Sequence, residues 1–87
     1  MKPSEQTELV QYLQETLKTY RAIKDALETR NKTVRIKALK SMVSITYDKV
    51  DATLKYVRAG GYTALDLSMT KGLYDPIITY LADEAVR

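Results

Sequence analysis

The side chains that can carry chemistry in this 87-residue sequence are carboxylates, lysines, arginines and tyrosines, because it contains no cysteine and no histidine. Disulfides, thiolate metal sites and imidazole acid–base catalysis are therefore excluded. Asp48 and Asp51 stand three residues apart, and Asp83 adjoins Glu84. Paired carboxylates can bind a hard cation or transfer protons, but Asp48 and Asp51 alternate with lysines and arginines, as on a solvated helix face. We expect no catalytic residue, metal site or cofactor, and predict a protein that is not an enzyme.

The strongest charge feature runs from residue 18 to residue 40, where eight basic residues minus two acidic ones leave +6, against +3 for the whole chain. Lys32, Arg35 and Lys37 fall at the predicted start of a helix, where positive charge opposes the macrodipole. Stability alone would not place them there, whereas a helix N-terminus among basic side chains can hold phosphate. The alternative is a solvated basic end that keeps the protein soluble. The candidate polyanion-binding residues are Lys18, Arg21, Arg30, Lys32, Arg35, Lys37 and Lys40.

A second candidate site follows from the aromatic residues, all seven of which are tyrosines. A tyrosine offers a flat apolar face and a polar tip, which suits a binding surface. Several tyrosines near the predicted second turn and last helix, with two apolar residues off the core stripe, predict a surface for a partner or a second copy of the chain. Alternatively, they close the end of the bundle beneath Gly60 and Gly61. The candidate interface residues are Tyr56, Tyr62, Leu67, Tyr74, Ile78 and Tyr80.

Helical periodicity predicts the elements that position these residues. A first helix is predicted from Ser4, as N-cap, to about Thr29. A tight turn at residues 30–32 follows, with Asn31 suited to the left-handed conformation that ends a helix. The apolar stripe of this helix contains Val10, Leu13, Leu17, Tyr20 and Leu27, flanked by Leu9, Tyr12 and Ile23.

Thr33 can cap a second helix that continues to Gly60 and Gly61, where glycine provides the left-handed stop. The competing interpretation is β, because residues 33–36 and 43–47 alternate and are rich in β-branched residues. The helical spacing is sustained for much longer than either run, so we prefer the helix. Its predicted buried stripe contains Leu39, Met42, Val43, Thr46, Val50, Thr53, Leu54 and Val57.

A third helix is predicted to begin at a capping box formed by Thr63 and Asp66. Gly72 weakens its middle, and Asp75 followed by Pro76 is a good cap and first helical residue. We therefore expect a kink or a short break between Gly72 and Pro76. The predicted stripe contains Leu65, Met69, Leu73, Ile77, Tyr80 or Leu81, and Ala85.

These elements predict an all-α fold, an up-down-up bundle of three long antiparallel helices in a single domain over residues 1–87. Two helices of ~26 residues are each ~39 Å long. The longest apolar runs fall far short of the ~20 residues needed to span a bilayer. The first residues also lack the apolar stretch of a signal peptide. We therefore expect a cytoplasmic protein with no membrane contact. Because three slender helices enclose a thin core, we also expect a homodimer.

One segment resembles a known family. Residues 56–65, YVRAGGYTAL, followed by Lys71-Gly72-Leu73 and Asp75-Pro76, resemble the turn and second helix of a tetratricopeptide repeat. The sequence departs from that pattern at Gly61, where the repeat has an acidic residue, and at Gly72, where it has alanine. The segment occurs once, whereas such arrays need about three copies. The resemblance implies a helical hairpin and a general kinship with helical binding scaffolds.

Two functional hypotheses follow. The first is a small helical interaction protein, acting as a homodimer or as a subunit of a larger complex. The second is a small basic protein that binds nucleic acid or another polyanion through the cluster between Lys18 and Lys40. No base-reading motif is present, so such binding would be to the backbone. A third possibility is an enzyme subunit whose active site another chain completes.

Overall fold

The computed structural model describes residues 3–60 and 67–87, which form three α-helices and contain no strand. Helix α1 spans Pro3–Glu28, α2 spans Val34–Arg58 and α3 spans Leu67–Ala85. They pack into a rod of 45 × 19 × 17 Å. The side-chain amide of Gln6 donates to the carbonyl of Val57 at 3.0 Å near one end of the rod. The predicted all-α, up-down-up bundle is thus confirmed, and the β alternative for the second segment is wrong.

The turn between α1 and α2 is closed by a side-chain cap, as predicted. The hydroxyl of Thr33 accepts a hydrogen bond from the backbone N–H of Ile36 at 3.2 Å. Asn31 does not adopt the predicted left-handed conformation, because Gly60, with φ 81°, is the one described residue with a positive φ. Instead, the N–H of Thr33 donates to the carbonyl of Asn31 at 2.8 Å. Ser4 is also not the N-cap, since α1 already includes Pro3.

The core lies along α1, which contacts both other helices more extensively than they contact each other. The periodicity of α1 predicted its buried side, although Val10 and Tyr12 are only partly buried. On α2, Met42 of the predicted stripe is 39% exposed, and Ile36, which lies outside that stripe, is buried. The buried apolar residues of the first two helices are Leu9, Leu13, Leu17, Tyr20, Ile23 and Leu27 on α1, and Ile36, Leu39, Val43, Val50, Leu54 and Val57 on α2.

The predicted register of α3 is wrong by one residue over its first half. Thr70 and Tyr74 are buried, whereas Met69 and Leu73 are more than half exposed. Tyr74 can lie inside because its hydroxyl is 3.3 Å from that of Thr53 on α2, which provides the polar partner that a buried tyrosine needs. A hydropathy pattern favours methionine and leucine for the core, so it predicted Met69 and Leu73 to be buried in place of Thr70 and Tyr74.

Later in α3, Leu81 and Ala85 are buried, and Tyr80 is half-exposed. Of the two residues left open for this position, Leu81 thus occupies the core. Helix α3 continues without interruption through Gly72 and Pro76, so the expected break is absent. The kink stays a prediction. The predicted capping box at Thr63 lies outside the described residues, as do Gly61, Leu65 and Asp66.

Candidate interaction surfaces

Most side chains of the basic cluster make contacts within the molecule. Arg30 donates to the main-chain carbonyls of Ala85 and Arg87. Arg35 donates to the carbonyl of Glu84 and pairs with its carboxylate at 2.8 Å. The carbonyls of Glu84 and Ala85 belong to the last turn of α3, where main-chain acceptors lack partners within the helix and carry the negative end of its dipole, and that of Arg87 follows two residues beyond. The two arginines therefore cap α3.

This capping explains why a positive charge stands at the start of α2. Arg35 opposes the dipole of its own helix, but antiparallel packing brings the C-terminal end of α3 beside it. The side-chain hydrogen bond from Arg35 is also the main reason that the pKa of the Glu84 carboxyl lies below its usual value. The inference that stability would not favour a basic residue here is thus wrong for Arg35.

Three other members of the cluster also have partners, in contacts that lie at the surface. These are Lys18 with the carboxylate of Glu15 at 3.4 Å, Lys40 with that of Glu28 at 3.1 Å, and Arg21 with the hydroxyl of Tyr47 at 2.7 Å. Such exposed contacts cost little to break. Within the described part of the chain, Lys32 and Lys37 make no ion pair and no side-chain hydrogen bond. Of the predicted anion-binding residues, Lys32 and Lys37 are thus the two that make no such contact among the described residues.

The predicted tyrosine surface is divided between the interior and the exterior. Tyr74 packs inside the bundle, and Leu67 and Ile78 are partly buried against the core. Tyr56 and Tyr80 are each more than half exposed. Tyr62 lies outside the described residues. Of the described members of the set, the two exposed tyrosines are thus available for an interface.

Helix α2 carries an apolar stripe on its exposed side. Met42, Ile45 and Tyr56 are 39%, 58% and 58% exposed. They share this side with Ala38, Lys49 and Ala52, since all six positions follow one another at helical spacings of three or four residues. Met42, Lys49 and Tyr56 also follow Arg35 at seven-residue intervals. Because Arg35 contacts α3, the stripe lies on the flank of α2 that borders α3.

Helix α3 carries a similar stripe on the flank that borders α2. Met69, Leu73 and Tyr80 are 57%, 53% and 51% exposed, and Pro76 continues their spacing. Tyr80 and Leu73 precede Glu84 by four and eleven residues, which places them on the side of α3 that holds the Arg35 contact.

The opposite flank of α3 contacts α1. There the hydroxyl of Tyr12 donates to the carboxylate of Asp75 at 2.6 Å, and the amine of Lys71 lies 5.7 Å from the centre of the Tyr12 ring. Burial and the hydrogen bond to Asp75 both raise the pKa of Tyr12. These contacts fix the rotation of α3 about its own axis, so the exposed stripe stands beside α2.

Two contacts between α2 and α3 define how the stripes are aligned along the rod. Arg35 meets Glu84 near one end, and Thr53 meets Tyr74 further along. Because both helices rise ~1.5 Å per residue, the two contacts together place Met42 at about the level of Tyr80, and Tyr56 at about the level of Met69. Together the stripes form one elongated apolar surface, which we call the α2–α3 face. Its members are Met42, Ile45, Tyr56, Met69, Leu73 and Tyr80.

The α2–α3 face is large and nearly uncharged. Two half-exposed tyrosines contribute on the order of 200 Å² of accessible area, and four half-exposed aliphatic side chains contribute about as much again. Exposed apolar surface of roughly 400 Å² is in the range that marks interaction sites on soluble proteins. Lys49 is the one charged residue within either stripe. The face is therefore suited to apolar packing against protein, and not to binding a charged ligand.

Sequence reasoning missed most of this face because it assigned Met42, Met69 and Leu73 to the core. Ile45 was available as a signal, since it falls outside the predicted stripe of α2. The exposed positions of α3 carried no such signal, because the rotation of α3 about its own axis depends on its contacts with Tyr12 and Arg35.

Comparison with known proteins gives no match, either to a family model or to a curated protein or solved structure. The likeness to a tetratricopeptide repeat therefore stays a resemblance. In the described residues, no three acidic side chains come together as a set that could hold a metal ion. No helix over the same ranges has the length and apolar character required to cross a membrane.

Proposed function

We propose that this chain is a non-enzymatic helical interaction protein that binds another protein through its α2–α3 face. The observation that carries the proposal is the alignment of six exposed apolar side chains on two adjacent helices. In a monomer these side chains would stay in contact with water, whereas a helical partner would bury them. Helices that offer apolar residues at such spacings are recognised by helix-in-groove packing. A cytoplasmic location stays a prediction.

The contacts of the basic end also support this ranking of functions. Arg30 and Arg35 already direct guanidinium N–H groups to the end of α3, and so offer fewer donors to a phosphate. The polyanion alternative therefore depends mainly on Lys32 and Lys37, with the surface-paired Lys18, Arg21 and Lys40 further along. A site that contacts about three phosphates would lose on the order of 40-fold in affinity between ~50 and ~200 mM salt. Apolar binding through the α2–α3 face would barely respond to salt.

The test is affinity capture with a tagged chain at low and high salt, comparing the wild type with Leu73→Glu and Thr79→Glu. Both substitutions add one negative charge at an exposed position of α3, but Thr79 lies off the α2–α3 face. We expect a stoichiometric protein, including an untagged copy of the chain if that is the partner, to bind the wild type and Thr79→Glu at both salt concentrations. Leu73→Glu should lose it.

Circular dichroism should show the same helicity in all three proteins. Equal capture by Leu73→Glu would contradict the proposal. Capture of nucleic acid that is lost at high salt and in Lys37→Glu would favour the polyanion alternative.

A further inference from the structure

We propose that the partner of the α2–α3 face is a second copy of this chain, packed about a two-fold axis parallel to the helices, so that α2 of each copy lies against α3 of the other. This inference rests on the proposed function and names its partner. It follows from the size of the face, its charge and the alignment of its two stripes.

The exposed area matches what a dimer requires. A standard interface buries ~800 Å² on each partner, of which a little over half is apolar. That corresponds to roughly 450 Å² of apolar surface, close to the ~400 Å² estimated for the six side chains. Each copy therefore offers a face large enough to form a stable homodimer.

The charge of the face is compatible with self-association. The chain carries +3 overall, and a surface that shared this excess would repel a second copy. The basic residues instead gather at the turn between α1 and α2, and Arg35 is paired with Glu84. Lys49 alone interrupts the two stripes. Two copies can thus bring their α2–α3 faces together and leave the excess charge in water.

The alignment of the stripes selects the direction of the symmetry axis. Met42 shares a level with Tyr80, and Tyr56 shares a level with Met69. An axis parallel to the helices keeps every level and exchanges α2 with α3, so Met42 meets the Tyr80 of the second copy. All neighbouring helices are then antiparallel, as in an up-down-up-down four-helix bundle.

A two-fold axis perpendicular to the helices would instead pack α2 against α2. With the axis at the middle of the α2 stripe, this arrangement would place the two Lys49 side chains against each other, because Lys49 lies midway between Met42 and Tyr56. Like charges in direct contact across an interface are unfavourable. The parallel axis avoids this contact and places Lys49 near Pro76 of the other copy.

The experiment combines light scattering with disulfide trapping, which is clean here because the chain has no cysteine. We expect twice the chain mass of 9.9 kDa for the wild type and Thr79→Glu, independent of salt, and monomers for Leu73→Glu. When Met42→Cys and Tyr80→Cys are mixed under mild oxidation, a disulfide-linked pair should form. Its rate should exceed that of either variant alone by on the order of ten-fold, because dimerisation raises the effective thiol concentration.

Two outcomes would overturn the inference. Rapid disulfide formation by Lys49→Cys alone, with none between Met42→Cys and Tyr80→Cys, would show the perpendicular arrangement. A wild-type chain that stays monomeric at every concentration would show that no second copy binds. If that monomer still captures another protein, and Leu73→Glu does not, the inference fails while the proposed function stands. If Leu73→Glu captures as well as the wild type, the proposed function fails as well.

Discussion

For both the basic cluster of residues 18–40 and the α2–α3 face, the structure differs from what the residue types alone predict, and the two differences are opposite. The basic end has the composition of a binding site, yet its arginines are bound to the last carbonyls of α3. The α2–α3 face contains residues that the apolar pattern assigns to the core, yet Met69 and Leu73 are more than half exposed. Charged side chains are therefore paired within the molecule at one region, and apolar side chains are exposed at the other.

The contrast shows that composition alone does not identify a functional surface. A charged residue is available to a ligand only when the fold offers it no closer partner, and an apolar residue is available only when its helix turns it outward. Both conditions are decided in this protein by α3, through where it ends and how it is rotated. The same helix thus makes Arg35 a structural residue and Leu73 a surface residue.

The largest difference in stability is expected between two variants in which a leucine of α3 is replaced by alanine. Leu81 is 1% exposed and Leu73 is 53% exposed. Leu81→Ala should lower the free energy of unfolding by about 2–5 kcal/mol, because it removes buried methyl groups and leaves a cavity. Leu73→Ala should lower it by less than about 1 kcal/mol, because half of that side chain is already in water. Urea denaturation monitored by circular dichroism measures both values.

The comparison requires a concentration at which the chain is monomeric, because a substitution that weakens a dimer also lowers its apparent stability. In dilute solution the two variants should differ as described, and Leu73→Ala should lose more stability as concentration rises relative to the wild type. Equal losses for the two variants in dilute solution would mean that Leu73 is in the core, as the sequence pattern indicates.

A smaller effect is expected at the basic end. Replacing both Arg30 and Arg35 by alanine should lower the free energy of unfolding by about 2 kcal/mol, because charged hydrogen bonds to the end of α3 are lost at partly exposed positions. Replacing both Lys32 and Lys37 by alanine should change the free energy of unfolding by no more than about 0.5 kcal/mol. Amide hydrogen exchange should locate the loss of the arginines in the last turn of α3.

The two double variants carry the same change in net charge, so a general electrostatic effect would act on both. If the lysine variant lost as much stability as the arginine variant, the capping role of the arginines would be contradicted. A lysine variant of slightly higher stability would agree with the unfavourable position of positive charge at the start of α2.

Much of the architecture could be predicted because its signals are local. The cap at Thr33, the left-handed Gly60 and the core stripe of α1 each depend on neighbouring residues and on helical periodicity. The length of the helices and their short connections then leave an antiparallel bundle as the simplest packing.

The candidate site could be predicted only in part because it depends on contacts between distant residues. Tyr74 is buried because Thr53 lies opposite its hydroxyl, and the pairing of Arg35 with Glu84 joins residues 49 positions apart. Tyr56 and Tyr80 were identified from their amphipathic character, which is a property of each residue. Their apolar neighbours on the α2–α3 face were not, because only the rotation of α3 separates Leu73 from Tyr74.

The smallest expected effect concerns the titration of Glu84, whose carboxyl has a pKa below its usual value of 4.5. In the folded protein Arg35 stabilises the charged form of this carboxyl. The resulting stabilisation is complete above pH 4.5 and is lost as the pH falls through the lowered pKa. Arg35→Gln should therefore raise the pKa of Glu84 towards 4.5, whereas Lys37→Gln should leave it unchanged. The return should be partial, because Arg87 lies 3.6 Å from the same carboxylate.

Titration of the Glu84 carboxyl by NMR also tests which basic residues are available to a ligand. If a polyanion drew Arg35 away from Glu84, adding a short nucleic acid should raise the pKa of the carboxyl as Arg35→Gln does. If Arg35 stays committed to α3, as its two contacts with Glu84 indicate, the nucleic acid should not raise this pKa. A rise in the pKa of Glu84 in the wild type that disappears at high salt would contradict the role of Arg35 as a cap of α3. It would favour the basic cluster as a binding site.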